Sequence, residues 1–238
     1  MRFLNLKKQV GANIKGLLQV SADEEITTIV SLKDFSDDVY LFMTTSNGVV
    51  KRVRSSEFQN AKTKGIIGIK LNDGDKLISA IPTEGNSQVM LITRRGKALR
   101  INEESVRTMG RASCGIKGMK LSEGDEIAAA VRVEEDSNII LMTEKGVGKR
   151  ISFDNFAVHG RGTGGQRIFG NTDGKGEIIG AMNVKDSDEV ICMTSQGKTL
   201  RFKASEIREQ GQGASGVRIV TIKEPDYLVG IDKVQDKE

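Results

Sequence analysis

Four copies of one pattern, T-x-x-G-x-x-x-R, place an arginine four residues beyond a glycine: TSNGVVKR from Thr45, TRRGKALR from Thr93, TEKGVGKR from Thr143 and TSQGKTLR from Thr194. The arginines are Arg52, Arg100, Arg150 and Arg201. Their charged groups are always ionised and match the oxygens of phosphate, so a periodic row of them suits a polyanion. Other cations keep the same phase. Lys51 and Lys149 precede two of the arginines, and Arg54 and Lys203 lie two residues beyond two of them. The hairpin turns carry Arg94, Arg95, Lys97, Lys145 and Lys198, while Lys64, Arg107, Arg111, Lys117, Arg161, Arg167 and Arg218 flank a second glycine of each repeat. These twenty residues are the candidate sites, and the ligand they suggest is double-stranded DNA held by its phosphates.

Other chemistry finds little support. His159 is the only histidine, so a zinc site or a histidine-based triad is hard to assemble. Cys114 and Cys192 stand far apart beside apolar residues, which predicts buried free thiols. Carboxylate pairs such as Asp73 with Asp75, Glu123 with Asp125 and Asp186 with Asp188 recur in the connections of several repeats, and an active site has no need of copying. Turn formation explains them better than acid/base work. GRGTGG (160–165) fits a dinucleotide fingerprint, but QRIFG after it reads as strand where that site requires a helix. No catalytic residue, metal ligand or cofactor is therefore assigned to this chain.

The elements that carry the cations follow from the repeat itself. Turn glycines Gly48, Gly96, Gly146 and Gly197 are 48, 50 and 51 residues apart, and second glycines Gly65, Gly115, Gly165 and Gly216 follow them by 17, 19, 19 and 19. Gly16 stands 32 residues before Gly48, so the chain opens in mid-repeat. The expected organisation is a single domain over 1–238, with a partial unit at about 1–38 and complete units at about 39–88, 89–138, 139–189 and 190–238. Inside a unit, short runs of β-formers are broken by Gly, Asn, Asp and Ser. VMLIT (89–93) and KALRI (97–101) form a hairpin, and GIKGMKL (115–121) and EIAAAVRV (126–133) add two strands. Four strands per fifty-residue unit predict an all-β ring of blades with radial repetition. ASEIREQ (204–210) has room for one helical turn. Met43, Met90, Met142 and Met193 fall on or beside the repeated strand, as core packing predicts.

Strand alternation then assigns a direction. The residue after each signature arginine is Val53, Ile101, Ile151 or Phe202, so an inward apolar side chain puts its arginine neighbour outward, in solvent. Charge is also segregated along the chain. Segments 44–70, 93–120, 143–167 and 194–218 hold 24 Lys and Arg against 7 Asp and Glu, leaving the connections acidic although the whole chain is only +4. A curved cationic ladder can follow duplex DNA without reading bases. Bending 20–30 bp costs roughly 1 to 6 kcal/mol, which phosphate contacts can offset. Aromatic content of 4% gives little for single-strand stacking, and Tyr40 and Tyr227 lie outside the basic segments. On this reading, changing Arg100 and Arg150 to Ala flattens the salt slope of binding by about 1.8. A peptide-binding propeller, the other class permitted by the repeat length, leaves no DNA footprint.

RTMGRASCGIKGMKL (107–121), EKGVGKRISFDNF (144–156), DEEITTIVSL (23–32) and SNGVVKRV (46–53) resemble the C-terminal domain of DNA gyrase A subunits through essentially the whole chain. The resemblance implies a β-pinwheel whose neighbouring blades exchange strands and whose basic outer edge wraps DNA. It also implies partners, the gyrase B protein and the remainder of the A protein, in an ATP-dependent topoisomerase that introduces negative supercoils. The catalytic tyrosine, magnesium and ATP sites of that family belong to other domains, so neither tyrosine here inherits a role. The resemblance further implies a monomeric domain in the cytoplasm, associated with the nucleoid and without membrane contact. Gyrase-type members carry an arginine- and glycine-rich box in the first blade, which is expected ahead of residue 1. HGRGTGGQR (159–167) occupies an ordinary second-glycine position and is not that box. Topoisomerase IV A proteins carry a similar domain that does not support supercoiling, and they remain the alternative at this point.

Overall fold

A computed structural model describes residues 2–3, 26–32, 34–61, 65–170 and 173–234; Lys64, Gly16 and the acidic run at 22–25 fall outside them. A short strand β1 (Arg2–Phe3) pairs with β4 (Ile66–Ile67). Four hairpins follow the repeat: β2 (Tyr40–Thr45) with β3 (Val49–Arg54), β6 (Gln88–Thr93) with β7 (Lys97–Asn102), β10 (Asn138–Thr143) with β11 (Val147–Ser152), and β14 (Glu189–Thr194) with β15 (Thr199–Lys203).

The T-x-x-G part of the signature closes each hairpin. Thr45, Thr93, Thr143 and Thr194 accept the turn glycine's N–H on their carbonyls, and their Oγ1 atoms accept the N–H four residues on. The glycines sit at φ between 76° and 86°, the left-handed region that disfavours a side chain. A buried aspartate completes three of the four turns. Asp75, Asp125 and Asp226 accept the backbone N–H of Asn47, Arg95 and Gln196 through Oδ1.

A third strand lies on the other side of the first hairpin strand: β5 (Leu77–Thr83), β9 (Ile127–Arg132), β13 (Ile178–Val184) and β17 (Leu228–Lys233). The fourth is borrowed. β8 (Ile116–Lys117) of the second unit pairs with β3, β12 (Gln166–Arg167) of the third with β7, and β16 (Val217–Arg218) of the fourth with β11. GIKGMKL therefore keeps only two residues of true strand, because the donated segment is gripped at one point. There Gly48 O, for example, accepts both Gly118 N and Met119 N. The resulting sheets run β5-β2-β3-β8, β12-β7-β6-β9 and β13-β10-β11-β16, whereas β15-β14-β17 stops at three strands. We call them blades one to four.

Strands β5, β9, β13 and β17 contact one another from blade to blade, and a cavity of about 300 Å³ opens among Ile81, Ala130 and Met182. They therefore line the axis, and the borrowed strands form the outer edge. The apolar core lies between blades. Phe42 of blade one packs with Val89, Leu91 and Ile101 of blade two, and Met90 and Ile92 of blade two with Ile139, Leu141 and Phe153 of blade three. Blade three repeats this against blade four through Ile140 and Met142, and Leu41 and Met43 meet Val30 and Leu32. Both faces of blades one to three are thus buried, which is why their first strands read as unbroken apolar runs. Ala204–Glu206 forms a single 3-10 turn, like those at Ser55–Phe58, Glu103–Ser105 and Phe153–Asn155.

Candidate nucleic-acid interface

The signature arginines do not face solvent in blades one to three, which corrects the expectation from alternation. Strand pairing sets Arg52, Arg100 and Arg150 opposite Phe42, Met90 and Ile140, on the face that the next blade covers. Arg150 is 8% exposed, and the Arg52 side chain 12%. Alternation assumes one wet face, and stacked blades have none there. Each arginine instead reaches across the seam. Arg100 donates from Nε to Gln88 Oε1 at 2.7 Å and from Nη1 to Phe153 O and Phe156 O of the third unit at 2.8 and 3.2 Å. Arg150 donates to Asn138 Oδ1 and to Ala204 O of the fourth unit at 3.0 Å each, and pairs with Asp186. Arg52 donates to Gly85 O at 3.1 Å, lies 3.7 Å from buried Glu103, and stacks 4.8 Å above the Tyr40 ring. In blade four no other described unit covers the face. There Arg201 is 54% exposed and pairs with Glu189 of its own sheet.

Lys51 and Lys149, candidates for DNA contact in the sequence, are fully buried. Lys51 Nζ donates to Gly68 O at 2.9 Å and Ser113 O at 3.0 Å, and bonds Arg111 O. Lys149 Nζ donates to Ile168 O, Gln212 O and Ala214 O at 2.8, 2.7 and 3.2 Å. Each ammonium ties its own hairpin to the loop of the next unit. Burial pulls both down to about 8, opposed at Lys51 by Glu57. The unfolded chain keeps these protons to about 10.5, so between pH 8 and 10.5 it binds more protons than the folded chain and stability rises with pH. A Lys149→Met variant lacks its share of that rise. Denaturant midpoints at pH 7, 8.5 and 10 are expected to move in favour of the wild type as pH increases; parallel pH profiles contradict the assignment.

Several other candidates are held by acids. Arg54 lies 3.7 Å from Asp37, Arg94 is 3.4 and 3.6 Å from Glu126 and Glu177, Arg95 is 4.0 Å from Glu177, and Lys198 is 3.3 Å from Asp226. Asp226 resists ionisation through its burial, but the Ser195, Thr194, Gln196 and Lys198 donors overcome this and hold it at about 2. It is part of a turn, as are Asp75 and Asp125, and the serine hydroxyls that donate to Asp75 and Asp226, from Ser46 and Ser195 at 2.8 and 2.9 Å, belong to the same turns. Cys114 is exposed rather than buried because its loop rides over the outer edge, while Cys192 is buried. Met193 is 48% exposed for the same reason as Arg201.

A distinct set remains open. Lys117, Arg167 and Arg218 are the second residues of the three borrowed strands, exposed on the outer edge and with no acidic partner among the described residues. Arg167 stands across from exposed Lys97. The loops before these strands extend the band. Arg161 donates to Ser105 O at 3.1 Å and Lys117 O at 3.3 Å, and Arg111 to Ile67 O at 3.1 Å, so a loop cation of one unit abuts the borrowed strand of the unit before. Arg107, Lys145 and Lys203 are exposed on the donor loop, a hairpin turn and the end of β15. Lys70 and Lys120, also exposed, were missed by sequence reading; they stand five residues after Gly65 and Gly115, a repeated offset that marks them. Unpaired cations at one phase of successive blades concentrate positive charge along a curved edge, a field that favours a polyanion.

Comparison with known proteins bears on that geometry. The family model "DNA gyrase C-terminal domain, beta-propeller" matches residues 40–84, 87–134, 137–185 and 188–235. The chain belongs to this family. The DNA gyrase A protein of Treponema pallidum is 62% identical over 224 residues, which are 94% of this chain and 28% of that protein. The gyrase A protein of Escherichia coli K12 is 35% identical over 226 residues, 95% of this chain and 26% of that protein. The chain thus spans about a quarter of the length of these gyrase A relatives. A solved gyrase A C-terminal domain superposes with a TM-score of 0.87 at 33% identity, covering 94% of this chain and 75% of that one. The C-terminal domain of a DNA topoisomerase IV gives 0.86 at 26%, covering 94% and 71%. Gyrase relatives fit better in sequence, and the pinwheel fold is common to both.

Proposed function

We propose that this chain binds double-stranded DNA without sequence preference along its outer edge, bends it and wraps it, as the C-terminal part of a gyrase A protein. In that role it works with the gyrase B protein and the remainder of the A protein in an ATP-dependent topoisomerase, presenting a DNA crossing to the strand-passing parts. The observation that carries the reading is the row Lys117, Arg167 and Arg218, repeated at the same position of three blades and free of acidic partners among the described residues. Such a row meets phosphates and ignores base edges, which gives affinity without sequence readout. No described helix is long and apolar enough to cross a membrane. The test is duplex binding across a salt series with two unrelated sequences, followed by relaxed plasmid treated with a nicking-closing enzyme. A steep slope, equal for both sequences, and a linking-number shift after closure are expected. Salt-independent binding, or none, overturns the reading.

A further inference from the structure

We infer that the signature arginines held in the seams are positioning residues for the wrap: half-buried Arg100 and buried Arg150 fix the angle between successive blades, and so the path of bound DNA, without touching phosphate. This rests on the DNA-wrapping reading above.

The molecule contains its own comparison. At one phase of the repeat the same residue is buried or half-buried in the seams between blades one to four, and exposed on the face of blade four that no other described blade covers. Arg100 holds Gln88 of its own blade and two carbonyls of the next unit at once. Its backbone joins in, with Arg100 O accepting His159 N at 2.9 Å and Arg150 O accepting Gln210 N at 2.9 Å. Those partners begin the loops that lead to the borrowed strands. A planar guanidinium bonded on both sides of a seam sets spacing and tilt together, where apolar contacts alone let two sheets slide. The exposed cations ride on the units so oriented. DNA following the edge turns by one seam angle per blade, so a change of angle alters its coiling while the number of phosphates it meets stays the same.

Two readouts therefore separate positioning from contact. The salt slope counts phosphates, and the linking number records the path. Arg100→Lys keeps the charge and loses the two-sided fork; Gln88→Ala keeps Arg100 and removes the bond that aims it. Both are compared with the wild-type 238-residue chain by salt titration on duplex and by plasmid relaxation and closure at saturating protein. Both variants are expected to retain the wild-type slope and to lose at least about half of the linking-number shift. A slope lowered by about 0.9 in Gln88→Ala or in an added Arg100→Gln variant, with the shift falling only as binding falls, marks Arg100 as a phosphate contact and overturns the proposal. Unchanged slope and unchanged shift also overturn it. If Arg100→Lys fails to fold, Gln88→Ala carries the decision. A wild-type chain that binds duplex but shifts no linking number counts against wrapping itself, which is a different failure.

Discussion

Replacing Lys117, Arg167 and Arg218 together with Gln is expected to flatten the salt slope of duplex binding by about 2.7, at roughly 0.9 for each phosphate released. At 0.1 M salt this corresponds to a loss of roughly 10² to 10³ in affinity. The three side chains are exposed and unpaired among the described residues, so stability should stay within about 0.5 kcal/mol of wild type. That separation matters. A variant that loses DNA and keeps its denaturant midpoint has lost contacts and not its fold. The same experiment on the acid-paired Arg94 and Arg95 is expected to give a smaller change, because Glu126 and Glu177 already hold them. Equal slopes for the triple variant and the wild type place the phosphates elsewhere.

The second large effect concerns strand exchange. Gly146 lies at φ 78°, and a Cβ there stands 2.3 Å from Val220 O of the borrowed segment. Gly146→Ala combines a left-handed backbone, costing about 1–2 kcal/mol, with a contact that forces the donated strand off its seat, costing about 1–3 kcal/mol more. Gly197 supplies the control. Its φ is 79°, but among the described residues nothing lies within 4 Å of an added Cβ and blade four carries no borrowed strand. Gly197→Ala should therefore cost about 1–2 kcal/mol, the backbone penalty alone. Denaturant unfolding of the two variants reads the difference, and equal losses contradict the view that exchange is what makes the turn glycine indispensable.

Most of the architecture is legible in the sequence alone. The period of the glycines predicts the blades, and VMLIT followed by RRG and KALRI predicts the hairpin found as β6 and β7. The exchange itself is invisible to local pattern, because a two-residue strand such as Ile116–Lys117 is defined by a partner some 67 residues earlier, Val49 and Val50. The cations divide into two kinds for a physical reason. Alternation within KRV or LRI says only that neighbours point opposite ways, and it becomes a statement about water when one face is wet. The continuous apolar run Val89, Met90, Leu91, Ile92, every residue fully buried, shows that neither face is. That run is the available signal against an outward arginine. Lys117, Arg167 and Arg218 escape the same error because they lie on the last strand of each sheet, where no further strand can cover them. Cys114 is exposed for the same reason, carried on the loop that crosses that edge.

Where the duplex lies is best read by lysine acylation with and without DNA, followed by mass spectrometry of the modified chain. Lys70, Lys117 and Lys120 are expected to react freely alone and to be protected by bound duplex. Lys51 and Lys149 should stay unreactive throughout, and exposed Lys185, on an acidic connection, should react equally in both states. Protection of Lys185 with Lys117 and Lys120 left open contradicts a DNA path along the borrowed strands.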